Sequence, residues 1–315
     1  MTNLFINAFE AVASILLIGF LGFLLIKRRL LAESVLRSLY PLALEIALPC
    51  LVFTKILTLF RPNESPGWWH IPLWWAAFTA YAGLFAFTAR YSASRDCRHE
   101  FTMSLFFPLV IITSVYGADS LLLVDLFLFN LFFSPFYFST FHFLFGQKEP
   151  GAKHLEWQKV LHPVFLAMLT ALVLSLTGLQ SSVPDFLMRP LELLGGMATP
   201  LLLIILGGNV YIDFKMSGPF RFFEVGKFVL SKNILFPLIT LGLLVLLPVS
   251  RSAATILLLQ SAVPPITSVP IMAERHGGNR AIVNQFLLGS FAASLVTIPA
   301  ILVLLSLAAE KGWFL

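Results

Sequence analysis

Apolar residues fall in ten runs separated by short polar gaps. The runs lie near Phe5–Ile26, Leu36–Leu59, Trp69–Ala89, Phe101–Tyr116, Leu121–Leu144, Pro163–Thr177, Leu187–Tyr211, Phe228–Leu247, Ala253–Met272 and Asn284–Leu307. Most approach the ~20 residues that carry a helix through a bilayer. The sixth is short and could begin near Val160. Runs of this kind satisfy their backbone polar groups internally as helices, so the pattern predicts an all-α integral membrane fold. Trp68, Trp69, Trp74 and Trp75 open the third run and mark an interface, because Trp collects at headgroup level.

Charge sharpens this picture. Lys27, Arg28, Arg29 and Arg37 follow the first run. Arg90, Arg95 and Arg98 follow the third, and Lys148, Lys153 and Lys159 the fifth. Lys215, Arg221, Lys227 and Lys232 follow the seventh, and Arg275 and Arg280 the ninth. The alternate gaps and the tail hold only Lys55, Arg61, Arg189, Arg251 and Lys311. Short loops rich in Lys and Arg stay cytoplasmic, so both termini are expected outside. The alternation also checks the count of ten, because a missed span would scramble it. Nothing basic precedes the first run, which therefore reads as an uncleaved helix and not a signal peptide.

Composition agrees. The chain is 58% hydrophobic and 12% charged, with mean hydropathy +0.88. Soluble domains carry about 25% charged residues, which leaves no room for one here. The net charge of +5 reflects the loop bias and gives no reason to expect nucleic acid. Cys50 lies within a run and Cys97 in a gap, so no disulfide is expected. The six histidines have no metal-ligand spacing, and no metal or cofactor is expected.

The prolines suggest an internal repeat. Pro41 and Pro49 in span two answer Pro190 and Pro200 in span seven. Pro108 answers Pro264, Gly117 answers Gly277, and Pro135 answers Pro299. The offset grows steadily along the chain, as small insertions would make it. A repeat of five spans is odd, so its second copy enters the membrane upside down, a plan common among secondary transporters. The expected units are residues 1–147, holding helices one to five, and 148–315, holding helices six to ten.

Span nine contains Gln260-Ser-Ala-Val-Pro264-Pro265-Ile-Thr267-Ser268-Val-Pro270. Each proline removes a backbone N–H and clashes with the preceding turn, so a continuous helix through Pro264 and Pro265 is not expected. An unwound stretch at membrane depth needs burial in protein or a wet cavity. Gln260, Thr267 and Ser268 would offer oxygens there, and the half-helix ends a dipole. In span four, Pro108 either breaks or only kinks the helix. Thr113 and Ser114 either line a cavity or bond back to their own helix. Glu45, between Pro41 and Pro49, is an acid near mid-membrane. Such groups face the bundle interior or water, and this one would suit a proton-coupled step. The alternative is a structural carboxylate tied to a neighbour such as Lys55. Glu192 is a shallower case. Asn130 and Asn209 are either ligands or interhelical glue. His142 reads as structural. Gly195, Gly196, Gly207 and Gly208 permit close helix approach.

At spans two, seven and nine the chain resembles the auxin efflux carrier family. The resembling stretches are Ala47-Leu-Pro-Cys-Leu-Val-Phe53, Thr199-Pro-Leu-Leu-Leu-Ile-Ile-Leu-Gly207, Val263-Pro-Pro265 and Met272-Ala-Glu-Arg-His-Gly277. The long hydrophilic central loop of plant members is absent. The resemblance implies ten helices in two inverted repeats, related in fold to bile-acid:sodium symporters. It implies broken helices four and nine crossing at the substrate site, with Pro108, Pro264 and Pro265 as crossover prolines. It also implies export or exchange of organic anions: auxin in plants, and malate or other carboxylates proposed for bacterial relatives. A homodimer in a bacterial inner membrane fits that resemblance. One departure stands out. The family's fourth helix carries an Asn- and Gly-rich stretch before its proline, where this chain has Phe101-Thr-Met-Ser-Leu-Phe-Phe-Pro108.

The leading expectation is a secondary transporter of small organic anions. A channel is the alternative, but no selective polar ring is readable. A membrane sensor subunit would need a partner chain to signal. A membrane enzyme is disfavoured, because no His-Glu-x-x-His or Gly-x-Ser-x-Gly motif is present. The coupling ion is open. Crossover oxygens permit sodium, Glu45 permits protons, and uniport needs neither.

Overall fold

The computed structural model describes residues 2–65, 67–89, 106–133, 135–136, 161–265 and 279–314, and no strand occurs among them. In chain order the helices are α1 (Thr2–Lys27), α2 (Glu33–Leu59), α3 (Ile71–Ala89), α4 (Phe106–Val115) and α5 (Leu121–Phe129). They continue as α6 (Pro163–Leu176), α7 (Asp185–Lys215), α8 (Phe222–Leu246), α9 (Arg251–Ala262) and α10 (Arg280–Glu310). Five of these described helices, α1, α2, α7, α8 and α10, are long and apolar enough to cross a membrane on length and composition.

Local chemistry sets many of the ends. The side chains of Ser120, Ser250 and Asn279 accept from backbone N–H groups in the first turns of α5, α9 and α10. Pro163 starts α6, where its missing N–H costs nothing. Gly117, with φ of +93°, closes α4 as the proline and glycine pattern suggested.

Two expectations change. Span five is interrupted at Asn130, where the backbone tightens from i−4 to i−3 bonds at Leu131 and Phe133. Pro135 lies just beyond and has no N–H for the Leu131 carbonyl. Of the four tryptophans, Trp75 is only 5% exposed and packs edge-on against Phe136, 5.1 Å between centroids. It is core and not an interface marker, because α3 turns that face inward.

Proline also shapes α2 and α8. Each contains a single π-helical stretch, Leu42–Ala47 and Leu230–Leu235, two residues before Pro49 and Pro237 respectively. A proline ring would strike the carbonyl four residues back, and a widened turn relieves that clash. In α7 the helix is interrupted at Met197, three residues before Pro200.

α9 is the most enclosed element. Every residue from Ala253 to Ala262 is buried, and the helix packs on α3, α4, α5, α8 and α10. A helix apolar and buried all round belongs to an interior. The surface is the opposite: Phe222, Leu246, Leu193 and Leu30 are each at least 75% exposed, as lipid contact allows.

Contacts between helix ends sort them onto two faces. Asp213, late in α7, meets Arg280 at the start of α10, 3.7 Å apart. Lys55, late in α2, meets Asp119 between α4 and α5 at 2.8 Å. Tyr116, Arg251 and Ser306 share one shallow cavity, which joins the α4 end, the α9 start and the α10 end. Among the described residues, the gaps after spans seven and nine thus share one face, and those after two, four and eight the other.

The closest backbone approach at a described glycine joins α1 to α7. A Cβ on Gly207 would overlap the Gly19 backbone carbonyl, and one on Gly22 would overlap that of Ile204. Gly195 is similarly pressed on Leu51 of α2, at 2.8 Å from an added Cβ. Gly207→Ala should therefore destabilise by about 1–3 kcal/mol, the range for overpacking. Gly83→Ala on α3, where nothing lies within 4 Å, should be neutral or stabilising. Thermal unfolding of both variants in detergent checks the contrast.

Candidate functional site

α9 runs twelve residues from Arg251, about 18 Å at 1.5 Å per residue. Its end therefore falls near the middle of a ~30 Å apolar layer. There Val263 turns extended, with ψ of 151°, and Pro264 and Pro265 are buried and non-helical. Extended backbone before proline is the expected geometry. α9 stops short of Pro264 and Pro265, as those prolines predicted. Thr267 and Ser268 lie outside the described residues, as do His142 and Cys97.

The break leaves a hydrogen-bond acceptor without its usual donor. The Ser261 carbonyl would ordinarily receive an N–H from the residue three or four positions on, and those residues are Pro264 and Pro265. Its donor is instead Lys232 Nζ of α8, at 2.7 Å. Lys232 is 1% exposed, and its ammonium also stands 5.1 Å from the Phe236 ring centroid. The charge pattern assigned Lys232 to a cytoplasmic gap. The structure corrects this, because Lys232 lies within α8 and is buried with an acceptor inside the protein. Its neighbour Asn233 is fully buried and exchanges hydrogen bonds with Ser290 of α10: Ser290 Oγ donates to Oδ1 at 2.8 Å, and Nδ2 donates to the Ser290 carbonyl at 3.3 Å. A π turn adds about one residue to its helix, which rotates the turns beyond it and aims both polar groups inward.

The first turns of α10 extend this polar layer. Asn284 donates to the Asp213 carbonyl, and Gln285 to the carbonyls of Ser217 and Pro219. Gln285 also accepts from the Arg221 N–H. These bonds clamp the connection between α7 and α8.

A second feature is a cavity of about 560 Å³ between α2, α4, α5 and α7. Thr54, Lys55, Thr58, Thr113, Glu192 and Thr199 supply its main polar groups, with Asp119 at its edge. Thr113 both lines this space and donates to the Val110 carbonyl at 2.9 Å. Ser114 is exposed and does not line it. Pro108 is buried in the first described turn of α4. Asn130 caps α5 by donating to the Leu126 carbonyl, and its buried Oδ1 has no partner among the described residues. Gln260 is buried beside the break.

Glu45 sits elsewhere. It lies in the π turn of α2, exposed at the protein surface, where that turn packs on α6 and α7. Lys55 is not its partner, being engaged by Asp119. Its titratable neighbour is His162, which burial pushes below the usual imidazole range while the Glu45 charge acts in the opposite sense. Asn209 is half-buried in α7.

The sequence matches the model of a family described as membrane transport protein over residues 7–154 and 150–302. The chain belongs to this membrane transport protein family. That family includes auxin efflux carriers, and its members are transporters and not enzymes. No curated protein matches the chain.

The cavity edge has a stated pH response. A hydrogen bond from Lys55, and then its charge, holds the Asp119 carboxyl below its usual range. The folded form therefore binds its proton less tightly than the unfolded chain. The pair's contribution is full above the ordinary carboxylate range and fades as pH falls through the lowered value. Asp119 is exposed, so the increment is small. Between pH 7 and acid, Asp119→Asn should lose slightly less thermal stability than the wild type.

Proposed function

We propose that this integral membrane protein is a secondary active transporter, in efflux or exchange, of small organic anions such as carboxylates or auxin-like acids. It works by alternating access around broken helices four and nine. The single observation that carries the reading is the end of α9 at Ala262, with buried, extended Val263-Pro264-Pro265 at mid-depth. A fixed conduction path needs no such break, which is why a carrier is favoured over a channel.

Ten helices in two inverted repeats fit this reading. The irregular stretch of α2 just before Pro49 and that of α7 just before Pro200 occupy matching positions in the two halves. Two extensively packed helix pairs, α1 with α7 and α2 with α6, would exchange under the same symmetry. Residues 1–147 and 148–315 are the two units. The substrate region takes in Pro108, Thr113, Asn130, Gln260, Pro264, Pro265, Thr267 and Ser268, and leaves out the exposed Ser114. A carboxylate entering the cavity competes with Asp119 for Lys55, since Asp119 and Glu192 already supply negative charge there. Glu45 is the candidate proton carrier, and sodium is the other coupling ion to weigh. A homodimer in the bacterial inner membrane, with both termini outside, completes the proposal.

Counterflow of labelled malate and indole-acetate into proteoliposomes of the purified protein tests it. Saturable flux of either anion is expected, and Pro264→Ala/Pro265→Ala should lower it by about tenfold or more. Absence of flux with both anions would move the substrate away from carboxylates.

A further inference from the structure

We propose that the Lys232 ammonium is a tethered cation. It fills the coordination place that the break in α9 would otherwise offer to a monovalent cation from solution, and so the carrier runs without sodium. The assignment of the amine stands on geometry; its consequence for transport rests on the carrier reading above.

Pro264 and Pro265 have no N–H, so neither a three-residue nor a four-residue bond can reach the Ser261 carbonyl. That oxygen lies in the last turn of a fully buried helix, at the negative end of its dipole. Unwound carbonyls at half-helix C-termini are the groups with which inverted-repeat carriers hold coupling cations. In this chain the oxygen is already taken. Lys232 Nζ lies 2.7 Å from it, the length of a charge-assisted bond. The Phe236 ring stands beside the same ammonium, a second attraction for a cation. Among the described residues no carboxylate lies within 4 Å of Nζ. The carbonyl, the helix end and the ring are therefore its stabilisers among the described residues, where the ammonium is not half of an ion pair. Asn233 beside it is committed to Ser290. Lys232 and Ser261 are both at most 1% exposed, so an ion from solution does not reach the Ser261 oxygen without moving its neighbours, the amine among them.

The test is thermal unfolding of the purified protein in choline chloride, sodium chloride and methylammonium chloride at equal ionic strength. The wild type should unfold at the same temperature in all three. Lys232→Ala should unfold roughly 5 °C lower in choline. Sodium or methylammonium should recover much of that loss, because a small cation binds the vacated carbonyl and choline is too large. Lys232→Met keeps the stem without the charge, and should be destabilised with no recovery. Three results would overturn the proposal: a Lys232→Ala protein as stable as wild type in choline, a loss that no small cation recovers, or a wild type that sodium stabilises. Should Lys232→Ala fail to fold in choline, purification in methylammonium decides. Folded protein there supports the tethered cation, and none overturns it. In the counterflow assay, wild-type flux should be equal in sodium and choline. Lys232→Ala flux should fall about tenfold in choline and partly return in sodium. If the wild type carries neither anion, the substrate reading fails while the unfolding measurements still decide the role of Lys232.

Discussion

A backbone carbonyl that proline leaves without a donor, in a helix with no solvent around it, is the constraint on which this structure turns. An unsatisfied polar group at membrane depth costs several kcal/mol. Water is not at hand for Ser261, since every residue of α9 from Ala253 to Ala262 is enclosed. The donor has to come from another helix, and Lys232 is long enough to supply it. Burying that amine is itself expensive. The break and the lysine therefore make sense only together, each removing a cost that the other would carry alone. The π turn before Pro237 belongs to the same solution, because it lets α8 present Lys232 and Asn233 to the interior.

Around this centre the polar groups divide by purpose. The bonds of Asn284 and Gln285 bind the start of α10 to the connection between α7 and α8. They hold fixed backbone within a buried layer. The cavity under Lys55 differs: its threonines face open space, and its lysine is held by a largely exposed carboxylate that solvent or a ligand can replace. The protein thus keeps a closed polar layer on one side of α9 and an accessible one near α4.

The features legible in the sequence are those with a local cause. Pro264 and Pro265 stop α9 and Gly117 closes α4, because each acts within a turn of itself. The close approach at Gly195 and Gly207 was legible for the same reason: only glycine exposes bare backbone. Lys232 was misassigned because its burial depends on an acceptor 29 residues further on, in a different helix. A signal did exist. Lys232 and Asn233 are flanked by Phe228-Val-Leu and Ile-Leu-Phe236, unlike the charged surroundings of a loop lysine. Trp75 failed in the same way, since headgroup level and core are equally apolar surroundings for an indole body. The engagement of Lys55 by Asp119, and not by Glu45, depends on which helix ends share a face, which spacing along the chain does not report.

The glycine seam between α1 and α7 bears on how the chain is assembled. α1 enters the bilayer well before α7, the helix that fits its bare Gly19 and Gly22 backbone, emerges. Until then α1 waits in lipid with its best docking surface unoccupied, while α2 through α6 arrive. The order of synthesis and the order of packing therefore differ. A growing chain cut short before α7 holds an unpartnered helix whose exposed glycine face is open to a neighbouring polypeptide.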